Sequence, residues 1–254
     1  MVTFALVIGW TERRRALRRR VEPQLSHTVR NLAIAGCGAI ALQLVERPVV
    51  SRVAALVARR RWGLLPRLHL PAGLELVVAI VLMDYTLYIW HVLSHRVPVL
   101  WRAHAVHHID RDLDASTALR FHFAELVASV PWRAGQVALI GVSPAALSAW
   151  QTCLTLSILF HHSNLALPSG LERVLGWFIV TPRMHGIHHS MEPANLNANW
   201  SSGLAVWDWL HGTLNLDVPQ RSITVGVRSF EDSERVTLPQ MVVFPFTGAQ
   251  LPDH

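Results

Sequence analysis

LELVVAIVLMDYTLYIWHVLSHRVPVLWRAHAVHHID, residues 74–110, carries the reading of the fold. Its first part, 74–93, has the roughly 20 predominantly apolar residues that a helix needs to cross the hydrocarbon core of a bilayer. His91 and His95 close that span at i and i+4, on one face of a helix. His104, His107 and His108 follow at i, i+3 and i+4 and converge in the same way, and the triplet returns as His185, His188 and His189 in RMHGIHHSM (183–191). The face of the span runs backward from His91 through Tyr88 to Asp84. An acid in an apolar helix is costly without a partner, so Asp84 is a functional candidate. Accepting the free ring N–H of a ligating histidine would satisfy it.

The bulk numbers agree with a membrane chain. Of 254 residues, 51% are hydrophobic and 16% charged, against about 25% charged in soluble domains; the mean hydropathy is +0.30. The net charge is +6, and all 23 basic residues are arginine. They concentrate in ERRRALRRR (12–20) and ARRRWGLLPR (58–67), and arginines flanking apolar helices suit anionic headgroups better than nucleic acid. Cys37 and Cys153 each sit in an apolar stretch and make neither a disulfide framework nor a thiolate metal site. MVTFALVIGW (1–10) lacks a basic lead and reads as a short anchor or the end of a span, not as a signal peptide.

Three further apolar segments are expected to be helical: 31–45, marginal for a span, 125–142, weakened by Arg133, and 145–160. The last two meet at Ser143-Pro144, the tip of a helical hairpin. Ser169 and Glu172 have the S-x-x-E capping arrangement, which predicts a short amphipathic surface helix that stops at Thr181-Pro182. Two crossings between His122 and His161-His162 return the chain to its starting side, so all the histidine clusters share one face. The arginine runs flank 31–45 with similar charge and leave the orientation open. The expectation is an all-α integral membrane protein of about four transmembrane or interfacial helices beneath a histidine-rich di-metal cap. An anchor with basic loops (1–70) precedes a histidine-bearing domain (71–214) and a soluble extension (215–254).

Eleven of the fifteen histidines fall between 91 and 189. Neutral imidazole binds Fe, Cu, Ni and Zn. Eight convergent histidines exceed the four ligands of one tetrahedral ion; two ions with four or five imidazoles each match the count, and His122 and His162 bring the total to ten. His27, His69 and His254 read as ordinary packed or solvated residues. There is no H-E-x-x-H for a zinc protease and no paired Glu-x-x-His for a carboxylate-bridged di-iron bundle. A histidine-rich membrane metal transporter is the main alternative, although transport sites lie nearer the bilayer midplane. A bis-histidine cytochrome fits adjacent His-His pairs poorly.

The pattern H91-x3-H95, H104-x2-H107-H108, H185-x2-H188-H189, with STALRFHFAE, FHHSNLALP, TPRMHGIHHS and NWSSGLAVWDWLHGT around it, resembles the membrane fatty acid hydroxylase/sterol desaturase superfamily from about residue 83 to 213. Phe123, His211 and Trp200 depart from that family's usual residues. The resemblance implies a multi-pass, inner-membrane bacterial enzyme with its histidines in the cytoplasm. It implies two iron ions held by His91, His95, His104, His107, His108, His185, His188 and His189, with His122 and His162 as further ligands. Zinc suits the same imidazoles in recombinant protein. O2 would be co-substrate, a bilayer lipid (acyl chain, sterol or related isoprenoid) the substrate, and a separate electron-transfer protein the donor; no nucleic-acid partner is implied. Asp84, Tyr88, His161, Asn164, Asn199, Asp208 and His211 are the candidates for supporting contacts behind the ligands.

Overall fold

A computed structural model describes residues 2–230 and 237–247. Among them the chain is helical, with isolated β-bridges and no extended strand. The helices are α1 (Val2–Arg14), α2 (Gln24–Ala41), α3 (Arg47–Arg60), α4 (Leu65–Leu68), α5 (Ala72–Arg96), α6 (Pro98–His108) and α7 (Phe123–Ile140). They are followed by α8 (Pro144–His162), α9 (Ser169–Leu175), α10 (Pro182–His188), α11 (Pro193–Leu196), α12 (Val206–His211) and α13 (Leu238–Val243).

Two helical stretches are long and apolar enough to cross a membrane: 24–68 and 72–96. The first is longer than the 31–45 segment suggested, because a single π-helical turn, Leu42–Glu46, joins α2 to α3 without a break. Leu25, Val29, Leu32, Ile40 and Leu44 leave this rod with an exposed apolar flank. Inward, Val50 and Ala54 of α3, Met83 of α5, Val137 and Ile140 of α7 and Trp150 of α8 form the largest apolar cluster.

Prolines set the corners that matter to function. Pro98 drives Val97 out of helical geometry (φ −97°, ψ 114°), so α5 stops at Arg96 and α6 starts anew, folding the second histidine box back against the first. The α7–α8 hairpin turns at Gly141 (φ +85°) and is capped by Ser143, whose side chain accepts from Ala146 N. Gly141 is obligatory there, since a Cβ would lie 2.7 Å from the Trp62 carbonyl oxygen. Thr181 caps α10 by accepting from Met184 N, with Pro182 at the first helical position.

The start and end expected for α9 need correction. Ser169 is not the cap of α9: Pro168 occupies that position without a side-chain bond, and the helix ends at Leu175. Described residues of the tail pack against the body. Val227, Met241 and Phe244 pack into one apolar cluster with Ile34, Trp101 and Val106, and Gly226 N donates to the His189 carbonyl.

Candidate metal centre

Four short elements bring the histidines together: the end of α5, the length of α6, the end of α8 and α10. His91, His95, His104, His108 and His188 form one buried group, and His107, His162, His185 and His189 a second; within each, the candidate ligand atoms lie within 4.8 Å of one another. The groups interlock, with the His108 and His189 rings stacked at 4.3 Å. Adjacent residues of each HH dyad thus serve different groups, since neighbours on a helix diverge by about 100°.

The donor chemistry fits metal ions. Nδ1 of His91 donates to the Trp200 carbonyl at 2.6 Å, that of His188 to Ala198 at 2.9 Å, and that of His162 to Ile158 at 2.8 Å. His104 Nδ1 donates to Glu125 Oε1 at 2.9 Å. Such bonds fix the tautomer and leave an Nε2 lone pair for an ion. Nε2 of His104 and of His188, and both ring nitrogens of His108, are buried without a partner, an arrangement that costs free energy unless something else satisfies them. In the second group, Nε2 of His162 lies 3.0 Å from those of His107 and His185, and His185 Nε2 is 3.1 Å from that of His189. Hydrogen bonding alone would require one N–H to serve two acceptors. Ligands about 2.1 Å from a shared ion at right angles come about 3 Å apart.

Electrostatics keep these rings in the ligating form. Burial first, and then the neighbouring imidazoles, hold His107, His108, His185 and His189 well below the ordinary histidine pKa. Burial pushes His188 down to about 3, although its bond to the Ala198 carbonyl opposes the shift. The rings are therefore neutral near pH 7, as ligands must be.

A cavity of about 750 Å³ opens onto the centre. His91, His104, His107, His162 and His185 line one end; Leu42, Leu87, Trp90, Leu126, Trp150 and Leu154 line an apolar body between α2, the π turn, α5, α7 and α8. Phe121 stacks on His107 at 4.5 Å and forms part of the wall.

The sequence model of the fatty acid hydroxylase family matches residues 76–213. The chain belongs to that family. All nine grouped histidines of this fatty acid hydroxylase family member lie inside the matched interval. Its relatives include ornithine lipid hydroxylase OlsE of Rhizobium tropici, 31% identical over 62% of this chain and 46% of that protein. Alkylglycerol monooxygenase of Xenopus tropicalis is 27% identical over 59% and 33%, and cholesterol 25-hydroxylase of Mus musculus 26% identical over 63% and 54%. The match thus covers between a third and about half of these relatives' lengths. No solved structure matches the chain.

Within this family member, nine of the ten expected ligands come together and His122 does not. His122 caps α7, its Nδ1 accepting from Ala124 N and its Nε2 donating to the Val242 carbonyl, so both nitrogens are used. His161 is buried beside the second group, with ring centroids 4.1 Å from His185. Asp84 touches no histidine; it accepts from Leu204 N at 3.0 Å and Trp207 Nε1 at 2.7 Å, pinning the loop before α12 to α5. Asp208 accepts from Trp200 N and Ser201 N, both at 2.9 Å, and so steadies the carbonyl that receives His91. Asn199, at φ +54°, donates to Met184 O and Asn215 O and holds the turn behind α10. Asn164 instead ties the Arg18 backbone. Tyr88 bonds Thr213 at 3.2 Å and stacks on His211, which meets Tyr85 at 3.3 Å.

Two features escaped the sequence. Glu125, the partner of His104, has a faint signal as an acid three residues after His122 in RFHFAE. Asp110, two residues after the second box, anchors a buried network: it meets His27 Nε2 at 2.8 Å and accepts from Thr117 at 2.8 Å, with Arg120 at 3.5 Å. His27 is thus a structural histidine. The alternation D110-x-D112-x-D114 was the available sign.

Proposed function

We propose that this chain is a membrane-embedded, O2-dependent lipid hydroxylase that works at a pair of iron ions. The carrying observation is the junction of two buried histidine groups with one apolar cavity. Lipid C–H bonds offer no acidic proton and no electrophilic carbon, so side chains alone cannot attack them; a redox-active metal pair supplies the oxidising chemistry with O2 and two electrons.

The chain's own residues bind, orient and exclude. His91, His95, His104, His108 and His188 would hold one ion, and His107, His162, His185 and His189 the other. The carbonyls of Trp200, Ala198 and Ile158 and the Glu125 carboxylate aim the rings. The apolar body admits a lipid segment edgewise from the bilayer and expels water from the reacting carbon. Hydroxylation is favoured over desaturation or cleavage, because the relatives are named as hydroxylases and monooxygenases.

The same reading places four helical stretches, 24–68, α5, α7 and α8, in or against the bilayer, with the histidines on the cytoplasmic side of a bacterial inner membrane. Residues 1–70 would serve as anchor, 71–214 as catalytic domain and 215–254 as a soluble extension, while a separate protein delivers the electrons. The test is to incubate membranes containing the protein with heavy-isotope O2 and a reductant, then profile their lipids. The expected result is a lipid carrying one heavy oxygen atom, absent from membranes with His107→Ala. If wild-type membranes form no such product with an iron-loaded protein, the reading is wrong.

A further inference from the structure

The cavity does not remain apolar along its length. Arg133 lines it while only 8% exposed. Its guanidinium lies 4.4 Å over the Trp150 ring. Nη1 donates to Gln136 Oε1 at 3.0 Å, and Gln136 in turn donates to Thr86 Oγ1 at 2.6 Å, so the side chain is held in one pose. Nε–H is left buried without an acceptor. A guanidinium fixed in one pose at the cavity wall can donate to an oxygen that enters beside it.

Glu46 is an acid that shares this cavity. It ends the π-helical turn, lines the same cavity and carries the charge opposite to that of Arg133. π turns frequently mark functional positions because they re-aim side chains out of helical register. A carboxylate guest would be drawn to Arg133 but repelled by Glu46; a hydroxyl satisfies both, accepting from one and donating to the other.

We propose that Arg133 and Glu46 anchor the hydroxyl group of an amphipathic lipid alcohol inside the cavity. The proposal rests on the lipid-hydroxylation reading and adds the class of substrate. Glu125, which touches His104, is about 12 Å further along α7 at 1.5 Å per residue. The anchor therefore sets which carbon reaches the metal centre: one about that far along the molecule from its hydroxyl.

The test is competition for photolabelling. Iron-loaded protein in phosphatidylcholine nanodiscs is labelled with a diazirine-bearing hexadecanol, and unlabelled hexadecanol, palmitic acid and hexadecane compete. Hexadecanol should compete best, with about a tenfold advantage over hexadecane, the scale of one hydrogen bond to a charged group. Arg133→Met should remove that advantage with iron content unchanged. The double variant Glu46→Gln/Arg133→Gln removes both charges at once and serves where Arg133→Met fails to fold. Equal competition by hexadecane, preference for palmitic acid, absence of labelling, or an advantage that survives in the double variant would each overturn the proposal. Turnover of hexadecanol is scored separately: intact discrimination without any oxygenated product would leave the anchor standing and remove the hydroxylation reading.

Discussion

His104 Nδ1 donates to Glu125, which turns Nε2 toward the first histidine group. Glu125→Ala should therefore weaken metal retention about tenfold or more, the usual cost of losing a carboxylate behind a ligand; competition with a chelator reads this, and unchanged retention would refute the role. At this scale the sequence was informative about which histidines gather and poor about what supports them. Spacing alone located the eight box histidines, because i, i+3 and i+4 share a helix face whatever surrounds them. It could not tell that both nitrogens of His122 are consumed by backbone groups. Nor could it separate Glu125 from an ordinary acid complementing a helix N-terminus. Asp84 was read correctly as needing a partner, but the partner is a loop backbone and an indole, not an imidazole.

Between elements, the corner after α6 holds the second box in place. Asp110 joins α2 to this corner through His27, Asn31, Thr117 and Arg120. Asp110→Asn strands the buried Arg120 charge and should cost about 3 kcal/mol or more, seen as a lower unfolding midpoint in detergent; a loss within error would contradict this. Acid should reveal the same network. Burial by itself would raise the Asp110 carboxyl, but Arg120, His27 and Thr117 hold it below the ordinary carboxylate value. Asp114, opposed by burial in the same way, is held low by His27, Ser116 and Arg20. Groups depressed in the folded state contribute stability that is present above their unfolded pKa, about 4, and is lost as pH falls through the folded values. Asp112 and Glu12 move the other way, raised by burial, so the diagnostic is a difference: Asp110→Asn should lose less stability than wild type between pH 5 and acid, roughly the range of that linkage. The hairpin turn at Ser143-Pro144 was legible because proline starts a helix and does not continue one. The π turn was not, since nothing in LQLVE distinguishes it from continuous α-helix.

Across the whole molecule, function depends on a cavity that no single element contains. Its walls come from α2, the π turn, α5, α6, α7, α8 and α10, which is why no motif announces it. Leu154→Trp places a larger side chain in the apolar body, away from the histidines; turnover should fall at least about tenfold while metal content stays at wild-type level, since pocket shape discriminates by 1–3 kcal/mol per methylene-sized change. Equal loss of metal would show instead that the substitution disturbs the centre. The central claim is the metal pair, and iron content per chain tests it most directly. Protein from iron-supplemented cells should hold two irons per chain, and both His107→Ala and His108→Ala, which strike different groups, should lower that content. One iron or none in wild-type protein after reconstitution, or full content in either variant, would contradict the account.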